Sequence, residues 1–174
     1  MTSSTVLYQT DGPIATVTLN RPERLNAMNR ELIAAAIETL ERAASDPAIR
    51  VLILTGAGKG FCAGGDLAGF AGGEFKQPLP LEQRVSELRR SMRTSQILRE
   101  SGMVTIAAIN GACAGAGFSW ALACDLRYAA ASAKFNTAFL KAGLSGDFGG
   151  TYSLTHIVGT AKARELYQIG RAHV

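Results

Sequence analysis

Two glycine-rich stretches hold the residues best suited to chemistry: Phe61-Cys-Ala-Gly-Gly-Asp-Leu67 and Asn110-Gly-Ala-Cys-Ala-Gly-Ala-Gly117. Each follows an apolar run that reads as a buried strand, Val51–Thr55 before the first and Val104–Ile109 before the second. Beyond the second, an apolar segment of helical length starts near Gly117. A strand feeding a glycine-rich turn and then a helix leaves backbone N–H groups unpaired at a positive helix end. With only small side chains around them, a ligand oxygen can come close to these donors. One donor from each loop would make an oxyanion hole, which stabilises negative charge developing on a carbonyl oxygen. A third glycine-rich stretch, Lys141–Gly150, carries a single acid, Asp147.

The remaining elements must position these loops. Val6–Gln9 and Ala15–Leu19 read as strands joined by a hairpin turn at Asp11-Gly-Pro13. Asn20–Asn26 reads as a loop, broken by Pro22. Asn29 is placed to cap a helix whose apolar residues Leu32, Ile33, Ala36, Ile37 and Leu40 recur at helical spacing, and Asp46-Pro47 ends it. Ala68–Pro80, rich in Gly and Pro, reads as a mobile loop able to close over a ligand. An amphipathic helix is predicted over about residues 81–100, with Leu81, Val85, Leu88 and Met92 as its apolar stripe. Short strands at Leu126–Ala129 and Ala133–Asn136 and helices at Thr151–Val158 and Ala161–Gln168 follow. Strands alternating with helices predict an α/β fold with a largely parallel sheet.

Composition narrows the function classes. A chain of 174 residues, 47% hydrophobic, can build one domain with a real core. The net charge of +4 is mild. Its densest basic group, Arg84, Arg89, Arg90, Arg93 and Arg99, is interleaved with Glu82, Glu87 and Glu100, as on a solvated helix face rather than a nucleic-acid surface. No apolar run approaches a membrane span, and the first residues show no secretory signal. Three irregularly spaced cysteines, Cys62, Cys113 and Cys124, suit a reduced, cytoplasmic compartment and small buried packing. His156 and His173 stand apart from any ligand cluster, so no metal is expected.

With these loops in place, the chain resembles the crotonase superfamily of enoyl-CoA hydratases and isomerases. The matching stretches are Leu19-Asn-Arg-Pro-Glu-Arg-Leu-Asn-Ala-Met28, Gly60–Leu67, Ala107–Gly117 and Cys124-Asp-Leu126, in order and at suitable separations. The resemblance implies a crotonase-like ββα spiral core. It also implies an acyl-CoA thioester as the substrate, with coenzyme A part of that substrate and no separate cofactor. By the same resemblance, Gly65 and Ala116 supply the oxyanion N–H groups, Ala116 standing where many relatives have Gly. The nucleotide and pantetheine would run along Arg24, Leu25 and Ala27 and along Ala63, Gly64, Asp66, Leu67 and Ala68, with Arg24 able to pair with a phosphate. Asp66 and Asp125 also read as structural, a turn-stabilising acid and a helix-end acid.

The catalytic acids depart from the hydratase pattern. Ser119 and Phe139 stand where hydratases of this family carry glutamates, so a two-glutamate hydration is not expected. Asp147 falls where the family's dienoyl-CoA and ring-opening isomerases carry an aspartate. The resemblance therefore implies isomerisation with Asp147 as acid and base. The alternatives are hydration by Asp147 with a Ser119-held water, an inactive acyl-CoA binder, or a mere helix cap at Asp147. Relatives continue past Gln168 and assemble as trimers or hexamers. Ile169-Gly-Arg-Ala-His-Val174 reads like a translated sequencing adapter. The expected division is thus an acyl-CoA-binding domain over 1–168, lacking its C-terminal helical segment, and a non-native tail over 169–174.

Overall fold

The computed structural model describes residues 4–66 and 79–169. The predicted mobile loop and the sites at Leu67 and Ala68 therefore lie almost wholly outside the described residues, as does the tail beyond Ile169.

Strands β1 (Val6–Asp11) and β2 (Ile14–Leu19) form the predicted hairpin, turning at Gly12-Pro13. Helix α1 (Arg30–Ser45) begins where Asn29 Oδ1 accepts the Leu32 N–H at 2.9 Å, and it buries Leu32, Ala36, Leu40 and Ala43. From there the chain repeats one unit, strand, short strand, helix. Strand β3 (Val51–Gly56) and β4 (Gly60–Cys62) lead to α2 (Leu81–Ser91) and α3 (Arg93–Glu100). Strand β5 (Val104–Ile109) and β6 (Ala112–Ala114) lead to α4 (Ala116–Ala123). Strand β7 (Leu126–Ala129) and β8 (Lys134–Asn136) lead to α5 (Gly150–Val158) and α6 (Thr160–Ile169).

The longer strands build one sheet in the order β1-β2-β3-β5-β7, parallel except for the hairpin. The short strands build a second, parallel sheet in the order β4-β6-β8. This is the ββα spiral: each repeat adds one strand to each sheet. Two sheets replace the single sheet read from the periodicity. Strands β4 and β6 escaped that reading because each has three small or mixed residues, too few to show an alternation.

Helix α4 is the central helix. All eight of its residues are buried, which accounts for its lack of a polar face. The predicted helix over 81–100 is two helices that meet at Met92. Its apolar stripe is also less buried than the spacing predicts: Leu81 is 71%, Val85 47% and Leu88 45% exposed. Helix α2 buries none of its residues, whereas α3 buries Thr94, Ile97 and Leu98 in the core.

Candidate active site

Side-chain amides hold the turns after β3 and β5 together. Asn110 Nδ2 donates to the carbonyls of Gly56 and Gly58 at 2.8 and 2.9 Å. Asn26, fully buried, donates to Ala57 and Gly60 at 3.0 and 2.8 Å while its Oδ1 accepts the Arg21 N–H at 2.8 Å. The loop over Asn20–Asn26 is thereby tied to the first glycine loop. Backbone packing allows nothing larger than glycine at Gly56, Gly111 and Gly117. A Cβ on Gly111 would lie 2.0 Å from the Lys59 carbonyl oxygen, and one on Gly117 would lie 2.4 Å from that of Cys62. Burial pushes the Cys62 thiol up to about 12, as suits a small packing residue rather than a nucleophile.

These ties bring the two glycine loops against each other. A Cβ on Gly64 would meet the Ala116 nitrogen at 3.5 Å, and one on Gly115 would meet the Gly64 Cα at 3.8 Å. Gly65 bridges Met28 in parallel register: the Met28 N–H donates to Gly64 O and the Asp66 N–H to Met28 O. That pattern uses the groups on either side of Gly65 and turns its own N–H to the opposite edge. Ala116 is the first residue of α4, where an N–H has no acceptor within the helix. Gly65 and Ala116 both line one cleft of about 1050 Å³.

Asp147 lines the same cleft, beside Phe139, Leu144 and Phe148. Its carboxyl is half-buried, and Oδ1 is buried with no hydrogen-bond partner. Burial raises its pKa from 3.8 to about 6, against the opposing effect of a backbone hydrogen bond. It does not cap α5, whose N-cap is Gly149 and carries no side-chain cap bond. The backbone beside it is costly to hold at one residue: Phe148 has φ of 50°, while the flanking Gly146 and Gly149 take φ of 103° and 72° freely. Phe148 is anchored there by an edge contact with Trp120, ring centroids 6.1 Å apart.

Other sequence candidates fall in different places. Ala63, Gly64, Asp66 and Phe139 line the cleft, whereas Arg24, Leu25, Ala27 and Ser119 are not among its described lining residues. Asp66 is paired with Arg21 at 3.0 Å and Arg24 at 3.1 Å. Arg24 is therefore engaged with a carboxylate, though its side chain stays 46% exposed. Ser119 is buried against Gly150, where an added Cβ would lie 2.2 Å from its Oγ. Asp125 accepts the Thr105 N–H at 2.8 Å, the structural role read for it. The sequence reading gave Asn26 and Arg21 no role of their own, although both lie in the matching stretch Leu19–Met28, and it passed over Tyr167, which lies outside every matching stretch.

The model of the enoyl-CoA hydratase/isomerase family matches residues 9–173. The chain belongs to the enoyl-CoA hydratase/isomerase family. Among curated relatives, the 1,2-epoxyphenylacetyl-CoA isomerase of Escherichia coli is 39% identical over 95% of this chain. A probable enoyl-CoA hydratase of Mycobacterium tuberculosis is 38% identical, again over 95%. Each match spans 62% of the relative's own length. Among solved structures, a putative enoyl-CoA hydratase from Streptomyces coelicolor has a TM-score of 0.88 at 34% identity, covering 99% of this chain and 64% of that one. One from Thermobifida fusca, solved in complex with acetoacetyl-CoA, has a TM-score of 0.85 at 31% identity, covering 97% and 67%. The crotonase-like fold is thus shared with proteins of both hydratase and isomerase name.

Proposed function

We propose that this family member binds an acyl-CoA thioester, polarises its carbonyl between the Gly65 and Ala116 N–H groups, and isomerises the acyl chain with Asp147 as acid and base. The observation that carries the reading is the unpartnered Asp147 Oδ1 in the cleft that both glycine loops line. Two backbone donors on the thioester oxygen lower the energy of the enolate, so a proton next to the carbonyl becomes removable. Asp147 accepts that proton at one carbon and returns it at another, which shifts a double bond without consuming water. A pKa of about 6 leaves the carboxylate mostly ionised near neutrality yet basic enough to take a carbon-bound proton.

Asp66, another acid lining the cleft, is neutralised by its two arginines and is the poorer base. Ser119, packed on Gly150, is poorly placed to hold a water for hydration. The wall contributed by Phe139, Leu144, Phe148 and Ala138 suits an apolar acyl chain. A trimeric or hexameric assembly and a cytoplasmic location belong to the same reading; among the described residues, no helix is long and apolar enough to cross a membrane. The test is to incubate the protein with a panel of enoyl-CoAs and weigh the products. Isomers of unchanged mass that differ chromatographically support the proposal. Products heavier by one water contradict it in favour of hydration, and binding without turnover contradicts it in favour of a silent acyl-CoA binder.

A further inference from the structure

Asp147 lies on a short turn between Gly146 and Gly150, and the Tyr167 side chain of helix α6 stands beside both glycines, with Thr151 and Phe139 also beside Gly146. A Cβ on Gly146 would meet the Tyr167 ring at 3.4 Å, and one on Gly150 would meet the Tyr167 hydroxyl at 3.0 Å. That ring is itself held. It stacks on Phe139, with centroids 6.3 Å apart and planes 11° from parallel. Phe139 in turn is only 6% exposed and lines the cleft. Helix α6, which carries Tyr167, is fixed to the β8 end by the Thr137 hydroxyl donating to the Leu166 carbonyl at 3.1 Å.

We infer that Tyr167 is the positioning residue of Asp147: its ring, clamped on Phe139, braces the turn at Gly146 and screens one side of the carboxyl from water. The inference rests on the acid–base reading of Asp147. The physical need is clear from the backbone. Phe148 holds a φ of 50° that a non-glycine residue keeps only where packing sustains it, whereas Gly146 and Gly149 reach their positive φ freely. Phe148 is held on Trp120, and the Tyr167 ring closes the Gly146 side of the turn together with Thr151 and Phe139.

The electrostatics agree with this contact. The Asp147 carboxylate helps burial push the Tyr167 phenol up to about 12, so the two groups feel each other. The rise of Asp147 itself has burial as its leading cause, with no charged group among its causes. Arg30, Glu31 and Asp66 line the same cleft without entering that shift. Removing the ring admits water to the carboxyl, and the raised proton affinity should relax toward that of an ordinary carboxylate.

The test compares Tyr167→Phe, Tyr167→Leu and Asp147→Asn in the full chain. Carbon-13 NMR follows the Asp147 carboxyl through a pH titration, with the Asn variant identifying its signal. Isomerase turnover is measured beside it. Tyr167→Phe keeps the ring and should hold both the titration point and the rate. Tyr167→Leu fills the space without the stack. It should move the titration below about 6 toward 3.8 and lower kcat at least about tenfold, with KM little changed. A Leu variant that titrates and turns over like the parent overturns the inference, as does a Phe variant that loses as much as Leu. Undiminished turnover in Asp147→Asn overturns instead the acid–base reading beneath it. The carboxyl titration reads the Tyr167 contact independently of activity, so the two failures are distinguishable.

Discussion

At Asp147, a carboxyl on a matching loop is lifted by burial into the range useful for proton transfer. The shift has two pH consequences of opposite kind. In the folded chain the group keeps its proton up to about pH 6, whereas unfolded it releases it near 3.8. Its contribution to stability is therefore complete below 3.8 and lost as pH rises to about 6. Comparing urea unfolding of the parent and Asp147→Asn at pH 4 and pH 7 should show the parent losing stability relative to the variant as pH rises. The base, by contrast, is formed above that window, so kcat/KM should climb through about pH 6 and level off. A profile without that limb would mean the reacting base lies elsewhere. The chemical type and loop of Asp147 could be read from the sequence, but its orphaned Oδ1 and its brace could not. Tyr167 is a lone tyrosine on a predicted helix, and nothing in its spacing announces contact with Gly146 and Gly150.

At the scale of elements, the site depends on how closely α4 approaches β4. Gly117→Ala puts a methyl within 2.4 to 2.7 Å of Cys62 backbone and side-chain atoms. Neither neighbour has slack in this buried layer, so the change should cost about 1–3 kcal/mol in denaturant unfolding. It should also weaken acyl-CoA binding by parting Gly65 from Ala116. A neutral outcome on both measurements would mean that the loop contact is not what forms the site. Helix α1 with its Asn29 cap, the hairpin and the long parallel strands were all legible from period and cap residues. The second sheet followed from the family resemblance alone and not from periodicity, because register across β4, β6 and β8 is set by tertiary pairing of three-residue strands. The break at Met92 was not legible, since an apolar stripe at helical spacing looks the same across two helices as across one.

At the scale of the whole molecule, several apolar side chains among the described residues stand exposed. Leu81, Val85 and Leu88 are exposed along α2, and Leu140, Leu144, Tyr152, Ile157 and Val158 are exposed around α5 and the loop before it. Patches of this kind favour association. Sedimentation velocity of the 174-residue chain should show species larger than the monomer growing with concentration. A monomer persisting to high concentration would contradict that expectation. The family and its spiral fold were legible from four short stretches: three form loops that line or support the cleft, and the fourth, through Asp125, ties the end of α4 to β5. The exposure of the α2 stripe was not, because periodicity tells which face is apolar and not whether anything lies against it. The central claim is that these loops and Asp147 together move a proton on an acyl-CoA. Proton NMR in deuterium oxide tests it most directly, by following exchange of the acyl protons next to or conjugated with the thioester. Exchange should occur with the parent and vanish with Asp147→Asn while acyl-CoA affinity is retained. Exchange that continues at the parent rate in Asp147→Asn would contradict the account.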